Sequence, residues 1–434
     1  YTPPEVAAEL VRVLWEAAAL EALPAVCDPA CGSGQFLLAA VERIAGHAGK
    51  AGQGGEAGPA GGAGRGGTPG GRANGESGAA TPAGGTAREE ARPEADEAVQ
   101  RAASALRAIY GVDVDPLAVR LAAWNLSYWA ASRVRDALRG AGERTPAQAG
   151  IRLDAALGPR FPWLLGSQLQ TGNALQVEPS PFSPGFLWER RFPEVFERER
   201  PGFDLVTGNP PWVSHGLRAH AAAPQEERDY YERLFPAGTQ YKLTLYPIFM
   251  ELALRLCRAG GAHGFLVPDS VLAGHYFSRI RRLLVESADL LELTLLEGTL
   301  WPGVHVGHTL LYAVRKRGGG ARPVTVRNRI LAVAGGRLSP PDERTEVRVP
   351  SAAYTAGGGA PLRIYRDEAE VDFLARMQAS PFRLKDVAWT YSGLIARHGQ
   401  KSVQAAEPQP QFLLHDARGR AVWQDLAASE HWRR

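Results

Sequence analysis

Asn209-Pro210-Pro211-Trp212 follows directly on the apolar run Phe203-Asp204-Leu205-Val206-Thr207-Gly208, so a strand is expected to end in a rigid turn. Each proline fixes φ and lacks an N–H, which holds the carbonyls of Asn209 and Pro210 clear of the sheet ladder as free acceptors. Such a turn suits a planar amine. An exocyclic amino group such as adenine N6 has its lone pair delocalised into the ring and is a poor nucleophile. Two acceptors, Asn209 Oδ1 and the Pro210 carbonyl, would take its two N–H groups, restore the lone pair and aim it. Trp212 is placed to hold the ring by its face. The bland alternative is a plain Pro-Pro turn after a strand.

Upstream lies Val26-Cys27-Asp28-Pro29-Ala30-Cys31-Gly32-Ser33-Gly34-Gln35-Phe36-Leu37-Leu38. A short apolar strand, a glycine-bearing turn and an apolar-periodic helix make the first half of a βαβ nucleotide-binding unit. A second strand, Ile109-Tyr110-Gly111-Val112-Asp113, ends in acid, and Asp113 at its tip can accept both ribose hydroxyls of a nucleoside cofactor. The glycine loop carries acid and small residues and no lysine, unlike a phosphate cradle. A cationic cofactor fits it better, and S-adenosyl-L-methionine is one, with Asp28 near its methionine end. Asp115 before Pro116 is read as the N-cap of a helix whose apolar positions include Leu117, Leu121, Trp124 and Tyr128.

Taken in order, Tyr1-Thr2-Pro3, the Asp-Pro-Ala-Cys-Gly-Ser-Gly loop, the acidic strand tip and Asn-Pro-Pro-Trp resemble the DNA adenine-N6 methyltransferases of the gamma motif order. Residues 186–196, leading into Gly202 to Asn209, are similar to methylases of type IIG restriction-modification enzymes and their phage-defence relatives. The resemblance implies a cofactor site of Tyr1, Thr2, Pro3, Asp28, Pro29, Ala30, Cys31, Gly32, Gly34, Asp113, Asn173 and Asn209. Asn173 takes the position near the cofactor adenine where relatives often have Asp. It further implies catalysis by Asn209, Pro210, Pro211 and Trp212 on an adenine flipped out of double-stranded DNA. Trp301 is either a second aromatic against that base or a core Trp at a strand end. An Asn-Pro-Pro-aromatic turn also serves enzymes that methylate release-factor glutamine or rRNA guanine N2, and a non-catalytic binding subunit is a further alternative.

The elements that must position these residues form an α/β fold. The expected architecture is a doubly wound, mostly parallel, seven-stranded Rossmann-like methyltransferase sheet with an antiparallel last strand over residues 1–316. Further strands are expected at Leu205 to Thr207, Gly264 to Val267, Leu290 to Leu296 and Thr309 to Arg315, with a helix at Tyr246 to Leu256. Residues 46–95, rich in Gly, Ala, Pro and charge, are read as a disordered insertion. Residues 317–365 read as linker and short β-like segments, and 366–434 as the truncated start of a target-recognition domain. Both ends of the chain look cut, so any nuclease domain or partner would lie outside this fragment.

Composition narrows the class. The three cysteines, Cys27, Cys31 and Cys257, are too few for a disulfide framework. With no secretory signal and no apolar run of about 18 residues, a cytoplasmic protein without a membrane span is expected. Net charge is +3, compatible with DNA, though phosphate binding needs a local patch. Arg279, Arg281 and Arg282 could supply one or form a solvated helix face. His305 and His308 lack the third and fourth donors of a metal site, so no metal is expected.

Overall fold

Apolar residues on both faces of each central strand decide this architecture. The computed structural model describes residues 2–51 except 19, 21 and 22, then 86–140, 146–180, 184–214, 224–240, 243–301, 307–320, 323–339, 345–355 and 359–381, and the strands 411–415 and 421–425. Tyr1, His305, the core of the insertion at 52–85, residues 382–400 and the last nine residues lie outside them.

Strands β1 (Val26–Asp28), β2 (Ile109–Asp113), β3 (Leu169–Thr171), β4 (Phe203–Gly208) and β5 (Cys257–Pro268) are parallel. Beyond β5 the sheet continues through β6 (Ala288–Gly298) and β7 (Thr309–Lys316), with β7 lying antiparallel between β5 and β6. The order β6-β7-β5-β4-β1-β2-β3 is the expected doubly wound sheet of seven strands with one antiparallel member. Side chains alternate faces along each strand. Val26, Ile109, Leu205 and Leu311 enter one apolar cluster, while Cys27, Tyr110, Val206 and Leu310 enter the other. The first cluster is closed by α1 (Pro4–Ala18), α2 (Gln35–Ala51), α3 (Thr86–Arg107), α4 (Pro116–Gly140) and α5 (Pro146–Leu157). The second is closed by α6 (Trp188–Arg191), α7 (Pro193–Phe196), α8 (Gln225–Leu234), α9 (Leu245–Leu256), α10 (Ser270–Ala273) and α11 (Ser278–Ser287). Cys27, Cys31 and Cys257 are all buried and reduced, as packing residues should be.

After Lys316 the sheet goes on. β8 (Thr325–Ala334) pairs parallel with β6, and β9 (Arg337–Leu338) and β10 (Thr345–Pro350) pair antiparallel with β8, giving ten strands. The β-like segments expected at 317–365 are thus integral to the sheet, and one compact unit extends from Tyr1 to Ala375. Buried polar chemistry holds this extension. Asn328 donates to Tyr354 Oη at 2.7 Å and accepts from the Tyr365 N–H at 3.3 Å. Arg329, 3% exposed, joins Glu9 of α1 at 2.5 Å and Glu292 of β6 at 2.9 Å. The second unit, Arg376–Arg434, contains one antiparallel pair, Gln411–His415 with Ala421–Asp425.

Three differences from expectation have clear causes. The insertion is flanked by helix on both sides, since α2 runs to Ala51 and α3 begins at Thr86; Ala, Glu and Arg carry helical propensity that a reading by apolar periodicity overlooks. Arg281 is unavailable to phosphate. Buried within α11's inner face, it donates to the carbonyls of Val271, Gly274, Gly359 and Ala360 at 2.8–3.1 Å, whereas Arg279 and Arg282 are exposed. Finally, Leu117, Leu121, Trp124 and Tyr128 form an exposed stripe on α4, with Trp124 54% exposed. The buried face is Val119, Ala122, Ala123, Leu126, Trp129 and Ala130. Small residues face inward because α4 lies against the glycine loop: a Cβ on Gly34 would meet Ala122 Cβ at 3.1 Å.

Candidate active site

The crevice forms where strand order reverses, between β1 and β4, outside the carboxyl ends of the strands. A cavity of about 420 Å³ opens there, lined among others by Pro29, Ala30, Asp113, Asn173, Asn209 and Pro211. Asp113 at the end of β2 and Asn209 just after β4 line it, while Asp28 at the end of β1 is buried behind its neighbours Pro29 and Ala30.

The glycine loop is held from two sides. Gly32 N–H donates to Asp113 Oδ2 at 2.9 Å, and Asn125 Nδ2 of α4 donates to the Ser33 carbonyl at 3.0 Å. Asp113 Oδ1 accepts a second bond, from Asp115 N–H at 2.9 Å. Each carboxylate oxygen keeps a further lone pair for a ligand hydroxyl. Asp115 caps α4 as expected, accepting from Leu117 N–H at 2.8 Å.

Asp28 is 1% exposed and accepts one bond, from Ala30 N–H at 3.0 Å. Burial pushes its carboxyl up to about 8; the Ala30 bond lowers it and the charge of Asp113 raises it again. A Cβ on Gly208 would collide with this carboxyl, so glycine there lets β4 pass close to β1. A pH dependence follows. Below about 8 the folded protein holds a proton on Asp28 that the unfolded chain gives up near 3.8. Its contribution to stability therefore falls as pH rises from 4 toward 8 in the cofactor-free protein. A cationic cofactor stabilises the ionised form, so its affinity should rise across the same window and its binding should release a proton. Calorimetry in buffers of different ionisation enthalpy measures that proton. Equal affinity at pH 6 and pH 8.5, with no proton released, would remove Asp28 from the cofactor site.

Asn173 turns its Oδ1 to the Leu175 N–H at 3.1 Å and its Nδ2 toward Tyr231 Oη at 3.4 Å. Tyr231 and Glu227 of α8 and Leu245 and Phe249 of α9 also line the cavity. Sequence reading missed all four. The only signal was a Tyr-Tyr pair in an otherwise polar helix downstream of the Asn-Pro-Pro turn, and Phe249 reads as ordinary core.

At the centre, Asn209 Nδ2 donates to Thr2 Oγ1 at 3.2 Å. Its Oδ1 is buried and accepts nothing among the described residues. Native proteins seldom leave such an acceptor unpaired, so an orphan here marks a place for an incoming donor. Pro210 is buried beside it. Trp212 is half-buried, with Nε1 toward the Leu266 carbonyl at 3.4 Å, and meets Trp301 edge to face at a centroid distance of 5.2 Å. The two rings form one aromatic wall, not the two parallel plates of a clamp. No group of His, Cys, Asp and Glu among the described residues could hold a metal ion, and no described helix is long and apolar enough to cross a membrane.

Residues 107–299, which carry Asp113, Asn173 and the Asn-Pro-Pro-Trp turn, match the Eco57I restriction-modification methylase family. That match covers under half of the chain and is to a restriction-modification methylase family. Over 146 residues it is 29% identical to the Type II methyltransferase M.PaeR7I of Pseudomonas aeruginosa, covering 32% of this chain and 24% of that protein. The chain thus spans about a quarter of that relative's length. Among solved structures it is similar to the ATP-dependent Type ISP restriction-modification enzyme LlaBIII bound to DNA, with 12% identity, a TM-score of 0.45, and 77% of this chain against 19% of that one covered. The type IIG restriction endonuclease BpuSI gives 15% identity, a TM-score of 0.40, and coverages of 82% and 32%. The methylase domain uses S-adenosyl-L-methionine, and the residues present fit it: acids at two strand tips, a loop without lysine, and an orphaned acceptor beside the cavity.

Proposed function

We propose that this chain methylates N6 of adenine in double-stranded DNA at a specific sequence, as the modification activity of a restriction-modification or phage-defence system. The observation that carries this is the buried, unpartnered Oδ1 of Asn209 at the end of β4. When bound, S-adenosyl-L-methionine supplies an activated methyl on a sulfonium. Pro29, Ala30, Cys31, Gly32 and Gly34 shape the loop that holds it, Asp28 faces its cationic end and Asp113 its ribose, while Asn173 and Tyr231 flank its adenine. Thr2 and Pro3 cover it from the start of α1.

The target adenine leaves the duplex at a cost of a few kcal/mol and rests against the wall of Trp212 and Trp301. Asn209 Oδ1 and the Pro210 carbonyl accept hydrogen bonds from its two N–H groups, which returns electron density to N6 and points the lone pair at the methyl; as the N–C bond forms the methyl–sulfonium bond breaks, a neutral thioether leaves, and one N6 proton passes to solvent. Positioning and electrostatics supply most of the rate, with no metal and no covalent enzyme intermediate. Residues 366–434 begin the target-recognition domain, and the segment at 46–95 is an insertion outside the chemistry.

Expressing the gene that encodes this chain in an unmethylated bacterial host and sequencing the host's genomic DNA by single-molecule methods tests the proposal. N6-methyladenine in one sequence context is the expected result. Methyl transfer to rRNA or release factor in place of DNA would move the function to those substrates, and cofactor binding without transfer would make the chain a recognition subunit.

A further inference from the structure

We propose that Thr2 is a positioning residue for methyl transfer, acting through the Asn209 amide; this rests on the reading of Asn209 as acceptor for the substrate amine. An amide is nearly the same shape with its nitrogen and oxygen exchanged, so packing alone does not choose which atom faces the substrate. With the oxygen forward Asn209 accepts an amine proton; with the nitrogen forward it opposes one.

A hydroxyl can donate or accept, so Thr2 tethers whichever end of the amide faces it, and the docking amine selects the orientation that this tether holds. Thr2, 5% exposed, receives Nδ2 at 3.2 Å and leaves Oδ1 unpaired. When an amine docks, this orientation alone satisfies both ends of the amide, Nδ2 at Thr2 and Oδ1 at the substrate. Without the hydroxyl, the productive orientation would bury an N–H group with no acceptor. That penalty is large enough to deplete the productive state about tenfold.

Thr2 is itself firmly placed. Pro3 accepts bonds from Val6 and Ala7 N–H at 3.1 and 3.2 Å, which starts α1 immediately after Thr2. Val6, Leu10 and Leu14 are buried beneath the helix, and Glu9 is tied to Arg329 and Arg12. The hydroxyl therefore sits on a rigid element and not on a loose end.

The test compares Thr2→Val, of the same shape without the hydroxyl, with Thr2→Ser, which keeps it. In single-turnover reactions at saturating cofactor and DNA, Thr2→Val should lower the transfer rate about tenfold while the cofactor dissociation constant moves less than about threefold; Thr2→Ser should restore most of the rate. A Thr2→Val enzyme with full transfer rate and weakened cofactor binding would make Thr2 a cofactor contact only and overturn the proposal. Failure of Thr2→Ser to restore the rate would overturn it too. Should Thr2→Val not fold, Thr2→Ala carries the same comparison. Mass spectrometry of nucleosides from the wild-type reaction separately identifies the acceptor, so a wrong substrate assignment is distinguishable from a wrong role for Thr2.

Discussion

Asn209→Ala should lower methyl transfer to DNA by about 10³-fold or more while leaving cofactor affinity within several-fold. Removing one preorganised hydrogen-bonding group at the reacting centre typically costs about 10²–10³ in rate. Here the same atom also orients the nucleophile, so the loss should lie at the upper end. Cofactor affinity is spared because the acids on the other two strand tips, Asp28 and Asp113, remain with the loop they brace. Tritium transfer from labelled cofactor under single-turnover conditions gives the rate, and equilibrium titration gives the affinity. An equal loss in both would place Asn209 in cofactor binding and deny it the role of acceptor for the amine.

The second large effect concerns stability. Arg329→Leu strips the shared cation from two carboxylates, Glu9 and Glu292, that are 9% and 3% exposed. Breaking a buried pair from one side costs roughly 3–5 kcal/mol when the partner is left uncompensated; here Glu9 keeps Arg12 and Glu292 keeps Arg327, so the loss should lie below that range. Denaturant unfolding should show the loss as a lower midpoint at an unchanged slope. Burial alone would raise the Glu9 carboxyl, but its bonds to Arg12 and Arg329 outweigh that and hold it at about 2. Its stabilisation is thus complete above the ordinary value near 4.5 and is lost as pH falls toward 2. The wild-type and Arg329→Leu stability curves should accordingly converge on acidification through that window. A variant as stable as wild type at pH 7 would mean the cluster contributes nothing net.

What could be read from the sequence was the placement of polar side chains at strand ends. At Asp28, Asp113 and Asn209 the strand, the turn and the reactive side chain are contiguous, so each local reading carried its own geometry. Sequence reading failed where contact depends on what is small. On α4 the large residues Leu117, Leu121, Trp124 and Tyr128, the apolar positions that stand out in the sequence, are exposed, while the close approach to Gly34 needs the small Ala122 on the inner face. The same blindness hid β8, whose Arg327, Asn328 and Arg329 look like a solvated segment until Glu9, Glu292 and Tyr354 are brought to them. Arg281 is a third instance, a cation absorbed by backbone carbonyls from distant turns.

The bond between Arg329 and Glu9 spans 320 residues of chain. A ribosome adds about 5–20 residues per second, so Glu9 waits on the order of a quarter to one minute before its second, buried counter-ion has been made. During synthesis α1 carries Arg12 as the first counter-ion of Glu9, and the second, buried one arrives only with β8. The methylase domain is therefore completed late. A gene cut after Lys316, where a seven-stranded sheet alone would suggest ending it, would strip Glu292 of both Arg327 and Arg329 and Glu9 of its buried partner.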